Sequence, residues 1–143
     1  MKKVLVTAKL LKFNEDRISK LWDAKLNLNN ETYTANKLIE LSKDCDGILS
    51  SILDKIDEQT INKLSDRVKI ISNFAVGFGN IDVVAAKKRN IVVTNTPDVL
   101  TDATAEIAIL VLLGAARRAK EGIEWANKKG WKWSADFLMG KQL

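Results

Sequence analysis

From the first residues to about residue 95, short β-type runs alternate with amphipathic helical patterns, and this alternation confines the chain to very few folds. The β-type runs are 3–7, 25–28, 47–50, 68–72 and 91–94. Between them the spacing predicts helices over 15–24, with Ile18, Leu21 and Trp22 on one face, over 35–43, over 58–64 and over 81–88. A strand, a helix and a second parallel strand close with a right-handed crossover, so repeated units give a parallel sheet covered by helices on both faces. Asn14, Thr34, Asp57 and Asn80 stand at expected helix starts, where their side chains can accept from free first-turn amides. The expected fold class is α/β, a flavodoxin-like layer of five parallel strands.

The pattern changes beyond residue 98. From Ala103 to Ala116 every position is apolar except Thr104, Glu106 and Gly114, and the run closes on Arg117 and Arg118. It is shorter than the roughly 20 apolar residues of a transmembrane helix. It is also too uniformly apolar for a surface helix with one buried stripe. Such a helix asks for burial all round, and a first domain covers only one of its sides. It therefore reads as a long apolar interdomain or dimerisation helix, with a second domain or subunit supplying the rest. Beyond it, Trp125, Trp131 and Trp133 gather around Gly130 in an otherwise polar stretch. Three tryptophans offer a large apolar area, so this region is expected to pack on something.

Composition narrows the function classes. At 143 residues, 46% apolar and 29% charged, the chain has the make-up of a globular protein about one domain long. The formal charge of +5 comes mainly from residues 87–143, where Lys87, Lys88, Arg89, Arg117, Arg118, Lys120, Lys128, Lys129 and Lys132 are scattered rather than clustered. They read as solvated helix ends and loops, so no nucleic-acid partner is expected. Cys45 is the single cysteine and cannot form an internal disulfide, which sets a cytoplasmic location as the expectation. MKKVLVT at the N-terminus has too short an apolar run for a signal peptide and reads as a first strand; no membrane partner is expected.

Chemistry concentrates after the fourth β-type run. Gly77 and Gly79 follow a strand and precede a helix, at the carboxyl end of a parallel strand, where loops expose backbone amides to ligands. Glycine there allows the backbone to approach an anion without a Cβ in the way. VGFG can equally be a tight strand-to-helix turn, with Asn80 or Asp82 capping the helix that follows.

A set of motifs at matched spacing joins this loop to the rest: NFAVGFGNID over 73–82, TNTPDVLTDATAE over 94–106, and ARR over 116–118. Together they resemble the D-isomer-specific 2-hydroxyacid dehydrogenases, particularly the glyoxylate and hydroxypyruvate reductase branch, across most of residues 66–140. The resemblance implies a flavodoxin-like substrate domain over 1–98 that lacks its C-terminal return. It makes 99–143 the interdomain helix and dimerisation arm, leading towards a Rossmann domain. It also implies a homodimer through residues 102–140 and a small 2-oxo or 2-hydroxy acid as substrate, with NAD or NADP as cofactor of the full-length parent. No cofactor is expected to bind this chain alone.

Carried onto this sequence, the resemblance makes the backbone amides of Val76 and Gly77 the holders of the substrate carboxylate and places Ile52 beside the substrate. Oriented amides complement a carboxylate without titrating. Thr104 falls on the cofactor side, near the start of the long helix, or serves only as a helix-start threonine. Trp133 falls near an arm that reaches the partner's active site, or simply packs. Three positions depart from the family pattern. Leu53 replaces the usual serine or threonine, so a hydroxyl contact is lost unless Ser50 or Ser51 replaces it. Gly79 stands in place of aspartate, and Asp98 in place of glycine.

Reduction of a 2-oxo acid needs a proton donor, a cation on the carboxylate and a bound dinucleotide. The chain has no histidine and no GxGxxG, so no catalytic residue and no metal ligand is assigned. The expectation is the N-terminal portion of an NAD(P)-dependent oxidoreductase, inactive by itself. The alternative is a non-catalytic binding or dimerisation module that keeps the fold.

Overall fold

In a computed structural model, which describes residues 1–130 and 132–142, the strands are β1 (Lys3–Val6), β2 (Asp23–Lys25), β3 (Gly47–Ser51), β4 (Ile70–Phe74) and β5 (Val92–Thr94). All pair in parallel, in the order β2-β1-β3-β4-β5. This is the flavodoxin-like order. The helices between them are α1 (Lys12–Leu21), α2 (Ala35–Leu41), α3 (Glu58–Lys63) and α4 (Val83–Lys88). These elements form one unit, Met1–Val99.

Strand alternation decides what is buried. In the β3/β4 register, Ile48 lies opposite Ile71 and Ser50 opposite Asn73, all four buried on one face. Leu5, Ile48 and Ile71 on this face join Leu38, Ile61, Leu64, Ala85 and Ala86 in the core, at 0–4% exposure. Three helix starts are capped by side chains: Thr34 accepts from the Lys37 amide, Asp57 from Thr60, and Asp82 from Ala85.

The structure corrects several expectations. The sheet is not covered on both faces. With every crossover of the same right hand, the chain moves along the sheet one way from β2 through β3 and β4 to β5, which sets α2, α3 and α4 on the core face, and the opposite way from β1 to β2, which leaves α1 alone on the second face. Ile70, Phe74 and Val92 are accordingly 40%, 60% and 57% exposed. Ile18 of α1 and Trp22 just beyond it border an apolar groove of about 430 Å³ on this face, with Val4, Leu49, Ile70 and Ser72.

α1 begins earlier than expected, at Lys12, so Asn14 is not its cap; the Glu15 carboxylate accepts from the Leu10 amide instead, at 3.1 Å. It ends at Leu21, where Trp22 turns extended and Asp23 enters β2, which runs over Asp23–Lys25 rather than 25–28. Nor does Asn80 cap α4: Asp82 does, and the Asn80 side chain turns inward.

The second unit, Leu100–Leu143, contains α5 (Thr101–Ala116) and α6 (Ala119–Ala126). The apolar run is a helix, but none of its residues is buried in the single chain; Leu110 and Val111 are 63% and 62% exposed. Trp125 makes an edge contact with Phe137 at 5.6 Å, and Trp133 is 76% exposed. Trp131 lies outside the described residues. Among the described residues no helix is long and apolar enough to cross a membrane.

Candidate functional site

The loops at the carboxyl ends of β3 and β4 carry the sequence-predicted residues Ile52, Val76 and Gly77. Ligands of open parallel sheets bind at these ends, near the point where the strand order reverses. Here that point falls between β1 and β3, and the chain fills it with its own groups. Asp54, 4% exposed, accepts from the Thr7 hydroxyl at 2.5 Å, the Ser51 amide at 2.7 Å and the Ser51 hydroxyl at 3.1 Å, all on Oδ2. The turn from Ser51 to Asp54 is thereby fixed, with Ile52 and Leu53 exposed at its tip.

The loop after β4 is held by its carbonyls. The Ala75 carbonyl accepts from the Thr96 amide at 3.0 Å, that of Val76 from Asn95 Nδ2 at 2.7 Å, and that of Gly77 from Asn73 Nδ2 at 2.9 Å. Three consecutive acceptors are tied down. The amides of Val76 and Gly77, in contrast, have no acceptor among the described residues. A loop pinned by its carbonyls with its N–H groups left over is disposed to bind an anion.

The chain itself does not require glycine at either loop position. A Cβ built on Gly77 or Gly79 meets nothing within 4 Å, and neither residue has a left-handed φ. Asp98 does adopt that conformation, at φ 64°, which accounts for glycine as the usual residue of this turn and for aspartate as a tolerated one.

Both hydroxyls near the position of Leu53, those of Ser50 and Ser51, are engaged within the chain. The Ser50 hydroxyl is buried and donates to Asn73 Oδ1 at 3.0 Å, and the Ser51 hydroxyl donates to Asp54. Thr104 lies in the first turn of α5 with its side chain exposed, and its amide donates to the Leu100 carbonyl at 2.8 Å. Trp133 lies in the second unit.

Sequence reasoning missed Asp54, Asn73 and Asn95, and took Asn80 for a helix cap alone. One signal was available: an asparagine two residues after the core position Ile71 faces inward by strand periodicity.

One cluster of shifted groups lies at the other end of the sheet. Hydrogen bonds from Lys25 and Lys3 hold the Asp44 carboxyl well below the usual carboxylate range, and the Lys3 amide does the same to Asp46 more modestly. These groups flank the amino ends of β1 and β3, so they read as structural ion pairs. Burial raises the thiol of Cys45, which is free and lies just before β3. The 430 Å³ groove also lies away from the loops. Among the described residues no group of three or more His, Cys, Asp or Glu could hold a metal.

The chain thus has a five-stranded parallel sheet of flavodoxin-like order with a carbonyl-pinned amide loop after its fourth strand. The profile of the D-isomer specific 2-hydroxyacid dehydrogenase catalytic domain matches residues 4–135. Glycerate dehydrogenase of Hyphomicrobium methylovorum is 36% identical over 143 residues, which cover 99% of this chain and 44% of that protein. Glyoxylate reductase of Pyrococcus furiosus is 39% identical over 112 residues, covering 75% and 33% respectively. Among solved structures, an NADPH-dependent glyoxylate/hydroxypyruvate reductase of Sinorhizobium meliloti, in complex with NADP and malonate, superposes with a TM-score of 0.74 at 30% identity; the match covers 91% of this chain and 39% of that one. A protein of Thermus thermophilus gives a TM-score of 0.83 at 31% identity, covering 97% and 45%. The chain belongs to the D-isomer specific 2-hydroxyacid dehydrogenase family, which is a family of oxidoreductases. It spans less than half the length of these relatives.

Proposed function

We propose that the chain is the substrate-binding portion of an NAD(P)-dependent oxidoreductase that reduces a small 2-oxo acid, of the glyoxylate or hydroxypyruvate type, to the D-2-hydroxy acid. In this reading residues 1–98 are the substrate domain and 99–143 an interdomain and dimerisation arm. The observation that carries it is the loop of residues 75–77, whose carbonyls are tied while the amides of Val76 and Gly77 stay free. Those two donors receive the substrate carboxylate, and exposed Ile52 supplies an apolar wall. Gly77 and Gly79, which the chain does not need for its own packing, leave room for the ligand.

The residues present do not fit a whole dinucleotide. Thr104 offers a hydroxyl but its amide is already bonded, and the sequence has no GxGxxG. The part of these 143 residues is thus to bind and orient; they supply neither the proton nor the cation nor the hydride, and they are inactive alone. Titration of the ¹⁵N-labelled chain with glyoxylate should shift the Val76 and Gly77 amide signals saturably, whereas matched sodium chloride should not. Oxidation of NADPH with glyoxylate above the buffer rate, by the chain alone, would sink the claim of inactivity.

The exposed apolar residues of α5 support a homodimer through residues 102–140, with Trp133 in the arm. Sedimentation of a strictly monomeric species at high concentration would count against it. The same residues favour the second reading, a non-catalytic dimerisation module. A dimer whose Val76 and Gly77 signals ignore glyoxylate is the outcome that selects it.

A further inference from the structure

We propose that Asn80, acting with Asn73, is a positioning residue that couples the two ligand-facing loops, 51–53 and 75–79, so that one sets the geometry of the other. The inference deepens the proposed function and, for its effect on affinity, rests on it.

Asn73, 1% exposed, occupies an inward-facing position of β4, opposite buried Ser50 and two residues beyond the core position Ile71. Its Nδ2 donates to the Gly77 carbonyl and, at 3.0 Å, to Asn80 Oδ1. Its Oδ1 receives the Ser50 hydroxyl. Asn80 Nδ2 in turn donates to the Ser51 and Asp54 carbonyls, each at 3.0 Å. Both hydrogens of each amide therefore have an acceptor, and each carboxamide oxygen has a donor. A carboxamide has two donors and an acceptor in one plane, which is what this junction of three carbonyls requires. An aspartate at 80 would set a carboxylate against the Ser51 and Asp54 carbonyls.

The backbone adds a short seam beside this clasp. The Ile56 amide donates to the Asn80 carbonyl and the Asp82 amide to the Ile56 carbonyl, both at 2.9 Å, forming an isolated parallel bridge between Ile56 and Ile81. The seam anchors the bases of the loops, and the asparagine pair sets their inner edges. Neither asparagine touches the ligand in this arrangement. Their effect on it passes through the Gly77 carbonyl, which fixes the far end of the turn whose preceding peptides carry the Val76 and Gly77 amides.

The test uses the ¹⁵N-labelled full chain and its Asn80→Ala and Asn80→Ser forms, the second retaining one polar contact should the first fail to fold. An Ile61→Val chain, altered in the core, is the stability control. The expected result is joint loosening of residues 51–53 and 75–79 in ¹⁵N relaxation for both Asn80 variants, with Ile48 and Ile71 unchanged. The glyoxylate Kd should rise about tenfold, the factor that misplacing one hydrogen bond produces. Ile61→Val should lower the Tm and leave both readouts at parent values. Loops that keep parent dynamics in an Asn80 variant overturn the coupling, as does loosening of one loop alone. A Kd within about twofold of the parent while both loops loosen overturns the positioning role. Missing Val76 and Gly77 shifts in the unsubstituted chain overturn the carboxylate site instead, and the relaxation data still decide the coupling.

Discussion

Asp54 gives the sharpest energetic test, because one oxygen carries three hydrogen bonds. Thr7 Oγ1, the Ser51 amide and Ser51 Oγ all converge on Oδ2, in a place only 4% exposed. Removing the carboxylate does not strand all three donors equally. The Thr7 hydroxyl has a second acceptor, the Leu49 carbonyl at 3.3 Å, and the partly exposed Ser51 hydroxyl can turn to water. The Ser51 amide has no such alternative. Hydrogen bonds to charged groups contribute about 1.5–3 kcal/mol, and a stranded buried donor costs about 1–3 kcal/mol. Asp54→Ala is therefore expected to destabilise the first unit by about 2–4 kcal/mol. Asp54→Asn can place its carbonyl oxygen where Oδ2 stood and keep all three donors, so it should cost only about 1 kcal/mol. Native-state hydrogen exchange at the Ile48 and Ile71 amides reports on this unit alone. Under conditions where exchange follows the opening equilibrium, their rates should rise about 30- to 700-fold for the alanine form and several-fold for asparagine. Equal losses for the two variants would refute the convergence argument, as would an alanine cost below about 1 kcal/mol.

Two further outcomes follow from particular contacts. A Cβ on Gly47 would sit 2.9 Å from Ile70 Cγ2, so Gly47→Ala should destabilise by about 1–3 kcal/mol in denaturant titration, and adding Ile70→Ala should recover part of the loss. The Asp44 carboxyl is held below its ordinary value of 3.8 by Lys25 and Lys3. Its contribution is thus complete above about pH 4 and is lost as pH falls through the depressed value; urea midpoints measured from about pH 5 to about pH 2 should fall less steeply for Asp44→Asn than for the parent.

Much of the fold was legible because local signals and burial agreed. The five β-type runs and the caps at Thr34 and Asp57 needed only strand propensity and a side-chain acceptor. β2 was misplaced because it is an edge strand of three residues, with an exposed aspartate and a lysine, where burial does not select apolar residues. Asn80 was read as a cap because asparagine before a helix usually is one. What draws it inward is the opposition of Ser50 and Asn73 across β3 and β4, a register that no local pattern encodes. The loop of Val76 and Gly77 was found through a matched motif; the tying of its carbonyls depends on Asn95 and Thr96, about twenty residues away.

The half-covered sheet has a consequence for how the chain behaves at high concentration. Purely parallel sheets are found almost only with both faces covered. With Ile70, Phe74 and Val92 facing water, colloidal stability falls to the net charge of +5. Salt screens that charge, and sulfate strengthens apolar contact. Solubility should therefore drop steeply in sulfate, and Phe74→Ser or Val92→Thr should widen the range of salt in which the protein stays dissolved.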